Sequence, residues 1–187
     1  MGVYPTPDTI NNSWGDSVTR VRRVPIHGGS LRVAVRRTGD GHCPEAVALA
    51  GEERAAGLSS PATYTAFARR VDETCQALTD HVSRLVASGR RVVGYGASAK
   101  GNTLLNRCPL PLDWIADDNP LKHGHLTPGR HVPIRSREDL ANEPPGLGVV
   151  LLAWNFADEI LAHVRRLRPG MRDEAIHYVP AFRVVPV

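Results

Sequence analysis

Near the N-terminus, apolar and polar residues alternate in a pattern that predicts two β-strands. In residues 31–37, branched apolar side chains alternate with polar or small ones, as they do in a strand with one buried face. A similar stretch at residues 21–25 precedes it, and the sequence His-Gly-Gly-Ser at 27–30 separates the two. We therefore expect a strand segment over residues 19–40, and before it a flexible or partner-ordered arm at residues 1–18.

Residues 41–89 follow a helical pattern and are expected to form a helical connector. A short helix is predicted from Glu45 to Ala56, and Gly57 can end it as a C-cap. A longer helix is predicted after Pro61. Its apolar residues recur at three- and four-residue spacing and share one face: Phe67, Val71, Cys75, Leu78, Val82 and Leu85.

From residue 90 onward, short apolar runs alternate with helical segments. Strands are predicted at 91–95, 114–116, 148–153 and 175–179, and helices at 98–106 and 157–167. The run at 148–153 is continuously apolar, as in a strand that is covered on both faces. The alternation predicts the α/β class: a Rossmann-like parallel sheet of about four or five strands flanked by helices, over residues 90–187. Ligands bind at the carboxyl ends of the strands in such sheets.

Composition excludes several classes of function. The chain has 187 residues and a formal net charge of +4, but its arginines are scattered, and aromatic residues make up only 5%. We therefore expect no nucleic-acid partner. No apolar run reaches the roughly 18 residues that span a bilayer, so we expect no membrane partner and a cytoplasmic location. The three widely spaced cysteines argue against a disulfide framework and a zinc site.

The best local motif is Gly94-Tyr95-Gly96-Ala97-Ser98-Ala99, which follows a predicted strand and opens a predicted helix. It matches the G-x-G-x-x-A nucleotide-binding turn, in which small residues allow a tight turn and a close ligand. Asp117 and Asp118 follow about twenty residues later, where an acidic residue can accept hydrogen bonds from ribose hydroxyls. NAD, S-adenosylmethionine and a nucleotide-linked sugar all fit the motif. A turn whose small residues serve packing alone is the alternative.

Other polar residues can be interpreted either as ligand-binding or as structural residues. Lys100 can pair with a phosphate or lie on the surface, and Asn155 can contact a ligand or cap a helix. His27 is a candidate for proton transfer because histidine titrates near neutrality. His123 and His125 lack the additional ligands that zinc requires, so we expect no metal site.

Several blocks of the sequence, in this order, resemble one family: the C-terminal domain of S-adenosylmethionine-dependent sugar C-methyltransferases, which make branched deoxysugars for antibiotics. The blocks are residues 27–32, 94–106, 118–122, 127–129, 132–134 and 151–158. Members of that family also carry an N-terminal zinc segment and a middle S-adenosylmethionine domain. The Tyr-x-Glu-His catalytic motif of the middle domain has no counterpart in residues 1–26, and residues 19–40 resemble the end of that domain.

The resemblance implies a domain that holds a nucleotide-linked or other secondary-metabolite substrate. Carried over position by position, the binding candidates are Gly94, Tyr95, Gly96, Ala97, Lys100, Asn102, Asp118, Asn119, Lys122, Trp154 and Asn155. His27 is then the catalytic candidate, at the seam with the methyltransferase part. No cofactor is expected on this chain, and S-adenosylmethionine would come through a partner.

The resemblance also suggests a two-chain enzyme. This chain would bind a small-molecule substrate, and a separate protein would carry the methyltransferase-like half as a heterodimer. The arm, the two strands and the apolar face of the long helix would form the interface. The chemistry would be methyl transfer or a recruited reaction such as intramolecular substitution or elimination. Two alternatives stay open: a nucleotide-sugar binding module without catalysis, and a small enzyme that binds S-adenosylmethionine or NAD.

Overall fold

A computed structural model describes residues 17–26, 29–37 and 41–187. Most of the predicted arm lies outside the described residues, and so does His27. The chain divides into two compact units within its long helix, where Arg69 ends the first unit and Arg70 begins the second.

The first unit contains an antiparallel strand pair and a short helix. Strand β1 (Ser17–Val24) pairs with β2 (Ser30–Arg36), which confirms the predicted two-strand segment. Because β1 begins at Ser17, the last two residues of the predicted arm belong to a strand. Helix α1 (Pro44–Ala55) packs beside β1. The two elements are joined by the Cys43 amide, which donates to the carbonyl oxygen of Val18 at 2.8 Å.

Helix α2 (Pro61–Ala87) is the longest helix of the described residues. No helix in this part of the chain is long and apolar enough to cross a membrane. Its apolar stripe is where the sequence predicts it. However, Leu78, Val82 and Leu85 are buried in the core of the second unit. This half of the helix face therefore covers the sheet and is not available as a protein interface, contrary to the expectation. The second unit begins inside α2, at Arg70.

The second unit contains a six-stranded sheet with strand order β5-β4-β3-β6-β7-β8. The strands are β3 (Val92–Tyr95), β4 (Ile115–Asp117), β5 (Ile134–Ser136), β6 (Gly148–Leu151), β7 (Glu174–His177) and β8 (Arg183–Pro186). Five of them are parallel, which confirms the predicted α/β sheet, and β8 adds an antiparallel edge that the sequence analysis missed. The chain order reverses between β3 and β6, where α/β sheets have their ligand crevice.

Two hydrophobic clusters cover the faces of this sheet. On one face, α2 and α3 (Ala99–Arg107) pack against residues such as Val150 and Ile176. On the other face, α4 (Ala157–Leu167) packs against residues such as Val149 and Leu151. Successive residues of β6 thus point to opposite buried faces, which explains why this strand is continuously apolar.

Cys75 of α2 and Cys108, which follows α3, form a disulfide with their Cα atoms 5.8 Å apart. The expectation from cysteine spacing was wrong here. The two residues are 33 positions apart in sequence, but α2 and α3 pack on the same face of the sheet, so distance along the chain does not separate them in space. Cys43 is a free cysteine.

A buried arginine fixes the segment that follows α4. Arg168 is 2% exposed, and its guanidinium donates to both carboxylate oxygens of Asp173, at 2.5 and 3.1 Å. It also donates to the carbonyl oxygens of Leu140, Glu143 and Pro144. Asp173 in turn accepts from the Leu147 amide at 2.8 Å. One buried ion pair therefore joins the residues before β6 to those before β7.

The turn between β3 and α3 depends on glycine. Gly96 has a φ of +93°, and a Cβ atom at this position would lie 2.4 Å from the Cβ of Ala153. A Cβ at Gly101 would lie 2.8 Å from the Cβ of Leu152. The turn and the first part of α3 thus approach the end of β6 so closely that no side chain fits between them. Packing is therefore one function of the glycine motif.

We expect Arg168→Ala to lower the free energy of unfolding by about 3–5 kcal/mol, because it leaves the buried Asp173 carboxylate without its cation. The matched control is Arg166→Ala, an exposed arginine of α4, which should cost less than about 1 kcal/mol. Urea unfolding followed by circular dichroism measures both. Similar losses for the two variants would contradict the assigned role.

Gly96→Ala and Gly124→Ala separate backbone strain from steric overlap. Gly124 has a similar φ of +79°, but nothing lies within 4 Å of an added Cβ. We expect Gly124→Ala to cost about 1–2 kcal/mol for the left-handed backbone alone. Gly96→Ala should cost a further 1–3 kcal/mol or so, because its methyl group overlaps Ala153. Equal losses in urea unfolding would show that the contact with Ala153 is unimportant.

Candidate functional site

A cavity of about 430 Å³ opens at the carboxyl ends of the central strands of the second unit. This volume is typical of sites for small molecules, and the position is the switch point of the sheet. One wall comes from β3, β4 and the loops that follow them: Tyr95, Gly96, Ser98, Asp117, Asp118 and Lys122. The other wall comes from the segment that joins β6 to α4 and from α4 itself: Ala153 and Phe156 lie in the segment, and Glu159, Ile160 and His163 lie on the helix.

Asp117 is a buried carboxylate that holds the first wall together. Its Oδ2 accepts from the Ala97 amide at 2.7 Å and from Lys122 Nζ at 2.9 Å. Its Oδ1 accepts from the Asn119 amide at 2.9 Å. Lys122 Nζ also donates to the carbonyl oxygen of Ala97 at 2.9 Å. Asp117 and Lys122 therefore fix the glycine turn to the loop after β4.

The amides of the glycine turn are hydrogen-bonded within the chain. The Gly96 amide donates to the carbonyl oxygen of Ala116 at 2.7 Å, and the Ser98 amide donates to that of Gly96 at 2.8 Å. Ser98 is the N-cap of α3, and its Oγ accepts from the Gly101 amide at 3.1 Å. These backbone amides are therefore not available to a ligand in the cavity. A ligand would form its hydrogen bonds with side chains, including the hydroxyl proton of Ser98.

A polar network includes three residues that line the cavity, Tyr95, Asp118 and His163. The Tyr95 hydroxyl donates to Asp118 Oδ1 at 2.8 Å. Burial, together with this carboxylate, raises the pKa of Tyr95 well above its usual value, so the phenol keeps its proton at neutral pH. Arg137 Nη1 donates to Asp118 Oδ1 and to His163 Nδ1, both at 3.2 Å. Because arginine only donates, His163 accepts through Nδ1 and carries its ring proton on Nε2.

Lys100, Trp154 and Asn155 form a second cluster beside the cavity. Lys100 Nζ lies 2.7 Å from Asn155 Oδ1 and 4.9 Å from the centre of the Trp154 ring. Trp154 packs with the cluster on the α2 and α3 face, whereas Phe156 lines the cavity. The end of β6 therefore separates a cationic cluster from the cavity, which carries several carboxylates.

The structure distributes the predicted binding residues over different places. Tyr95, Gly96, Asp118 and Lys122 line the cavity, and Ala97 lies in the turn between them. Lys100, Trp154 and Asn155 form the second cluster. The roles of these residues in binding stay predictions.

Three other predicted residues lie apart from the cavity lining. A Cβ at Gly94 would lie 2.6 Å from Leu152 Cδ1, so this glycine serves packing between strands. Asn119 accepts from the Leu121 amide at 3.0 Å and caps the short 3-10 helix Pro120–Lys122. The side-chain oxygen of Asn102 on α3 is buried without a hydrogen-bond partner.

The histidines of the sequence motifs have structural contacts. His123 donates through Nε2 to the carbonyl oxygen of Asp117 at 2.8 Å, and His125 donates through Nδ1 to that of His123 at 3.2 Å. Within residues 17–26, 29–37 and 41–187, no three His, Cys, Asp or Glu side chains are grouped so that they could hold a metal ion.

Sequence reasoning missed the wall that α4 contributes. Phe156, Glu159, Ile160 and His163 follow the spacing of one helix face, which the sequence does contain. That spacing could have identified the face but not the cavity, because the order of the strands decides which helix covers the switch point. Arg137 had no local signal, since it reaches the network from the start of the 3-10 helix Arg137–Asn142, which follows β5.

The sequence of this chain is similar to those of known proteins. The family model described as the C-methyltransferase C-terminal domain matches residues 25–180. The C-methyltransferase NovU of Streptomyces niveus is 37% identical over 158 residues, which make up 82% of this chain and 37% of NovU. The chain thus spans little more than a third of the length of this relative. The resemblance inferred from the sequence blocks is confirmed: the chain belongs to the family of C-methyltransferase C-terminal domains.

Proposed function

We propose that this chain binds the substrate of a C-methyltransferase-like enzyme, and that the substrate is a nucleotide-linked sugar. The cavity at the switch point between β3 and β6 is the observation that carries the proposal. Open α/β sheets bind nucleotide-containing ligands at this place. The relationship to NovU, a C-methyltransferase, supports methyl transfer as the reaction that the bound substrate undergoes.

The charge distribution around the end of β6 supports an extended ligand. The cavity contains the carboxylates of Asp118 and Glu159, which suit groups that donate hydrogen bonds. Lys100 and the ring of Trp154 lie beside it, where a cation and an aromatic face suit a phosphate and a base. A nucleotide-linked sugar carries all these groups in one molecule.

We propose that a methyltransferase-like half on a separate protein completes the enzyme as a heterodimer. When S-adenosylmethionine is bound to that half, it supplies the methyl group, while this chain holds and orients the acceptor. The first unit supports such an interface. Ile26 and Val35 of the β1–β2 segment, which is covered by one short helix beside β1, are 49% and 47% exposed. A protein partner would remove these apolar surfaces from water.

We expect thymidine-diphosphate glucose to bind the purified chain in calorimetric titration, and Asp118→Asn to weaken this binding about tenfold, since hydrogen bonds to charged groups contribute about 1.5–3 kcal/mol. Asp113→Asn is the matched control, because Asp113 accepts from the Val92 amide near the opposite ends of the strands. Absence of binding to the wild-type chain would contradict the proposed function. Tighter binding of S-adenosylmethionine or NAD than of the sugar nucleotide would instead favour a small cofactor-binding enzyme.

Co-expression with the protein encoded beside this chain tests the heterodimer. We expect the two to co-purify in equal amounts, and Val35→Asp to abolish co-purification by placing a charge in an apolar interface. Glu45→Asp, a conservative change in α1, serves as the control. A monodisperse monomer in the presence of that protein would contradict the proposal, and so would a native polypeptide that carries both halves.

A further inference from the structure

The wall of the cavity that α4 contributes contains two polar residues without an assigned role, Glu159 and His163. We infer that both contact the substrate and select for a ring that carries hydroxyl groups. This inference rests on the proposed function, because it names the part of the substrate that enters the cavity.

The hydrogen bonds of these residues leave one acceptor and one donor for a ligand. The exposed Glu159 carboxylate has no hydrogen-bond or ion-pair partner among the described residues, so its oxygens can accept. His163 already accepts from Arg137 through Nδ1, so Nε2–H is the donor that remains. A hydroxyl group both donates and accepts, and two neighbouring hydroxyls can satisfy both side chains.

Charge argues against a phosphate in this part of the cavity. Asp117 is paired with Lys122 at 2.9 Å, and Asp118 is paired with Arg137 at 3.2 Å. Glu159 adds a carboxylate without a matching cation, so the group that enters here meets net negative charge. A phosphate would be repelled by this charge, and the turn amides of Gly96 and Ala97 could not donate to its oxygens, because they already bind within the chain.

Apolar residues complete the wall. Phe156 is 52% exposed, and Ile160 and Ala153 lie beside it in the cavity lining. An aromatic side chain provides a flat apolar surface for the C–H face of a ring, while the neighbouring acceptor and donor fix its hydroxyls. Apolar surface next to an acceptor and a donor thus favours a neutral polyhydroxylated ring. In thymidine-diphosphate glucose that ring is the sugar, because the deoxyribose of the nucleotide has only one free hydroxyl group.

Glu159→Ala and His163→Leu test the inference by calorimetry with thymidine-diphosphate glucose. We expect each variant to bind about tenfold more weakly or worse, as the loss of a hydrogen bond to a charged or buried partner predicts. Asp158→Ala is the matched control: it removes a carboxylate from the same helical turn but from outside the cavity lining, and should leave affinity unchanged. Thermal melting verifies that each variant is folded.

The outcomes distinguish the inference from the proposed function. If the wild-type chain binds the sugar nucleotide but Glu159→Ala binds equally well or more tightly, the inference is wrong and the proposed function stands. If the wild-type chain does not bind the sugar nucleotide, both the inference and the proposed function are wrong. If His163→Leu lowers the melting temperature so far that the variant is not folded, the binding result for the variant at the exposed Glu159 decides whether the inference holds. Thymidine diphosphate without the sugar tests which ring enters the cavity: weakening only for thymidine-diphosphate glucose supports the sugar, whereas equal weakening for both probes would place the deoxyribose there and contradict a polyhydroxylated ring.

Discussion

The candidate site depends on one buried carboxylate. Asp117 ends β4 and accepts hydrogen bonds from the glycine turn after β3, from the backbone of its own loop, and from Lys122. These three contacts hold two loops from neighbouring strands as one wall of the cavity. Asp118, the next residue, is thereby left facing the cavity with half of its side chain exposed. Adjacent aspartates in the sequence thus have different roles: Asp117 is buried and binds both loops, whereas Asp118 is half exposed and binds Tyr95 and Arg137.

At the same edge of the sheet, positively and negatively charged side chains lie on different sides of the end of β6. On one side of the end of β6, Lys100 lies over Trp154; on the other, carboxylates and a histidine line the cavity. Close packing of glycines against Ala153 and Leu152 brings the two environments close together. A ligand that carries both an anionic and a hydroxylated part matches this division, which connects the geometry of the turn to the substrate proposed for the family domain.

Local patterns predicted the local structure well, and tertiary contacts explain the failures. The turn from β3 to α3 was predictable because glycine spacing encodes it within a few residues, and α4 because its apolar stripe is strong. Strand β8 was missed because Val184 and Val185 are too short a run to show periodicity. The disulfide and the burial of Leu78, Val82 and Leu85 were missed because both depend on which helix covers which face. For the site, the motifs indicated Tyr95, Gly96 and Asp118, whereas Glu159 and His163 required the strand order.

The central claim is that the carboxyl-edge cavity holds the substrate, and ligand mapping by nuclear magnetic resonance tests it most directly. The uniformly ¹⁵N-labelled chain would be titrated with thymidine-diphosphate glucose, and the backbone amide shifts would be recorded at each addition. The account predicts that the largest shifts cluster in residues 95–98, 117–119 and 156–163, on both walls of the cavity. Shifts confined to another region such as residues 17–37, or no shifts at saturating ligand, would contradict it.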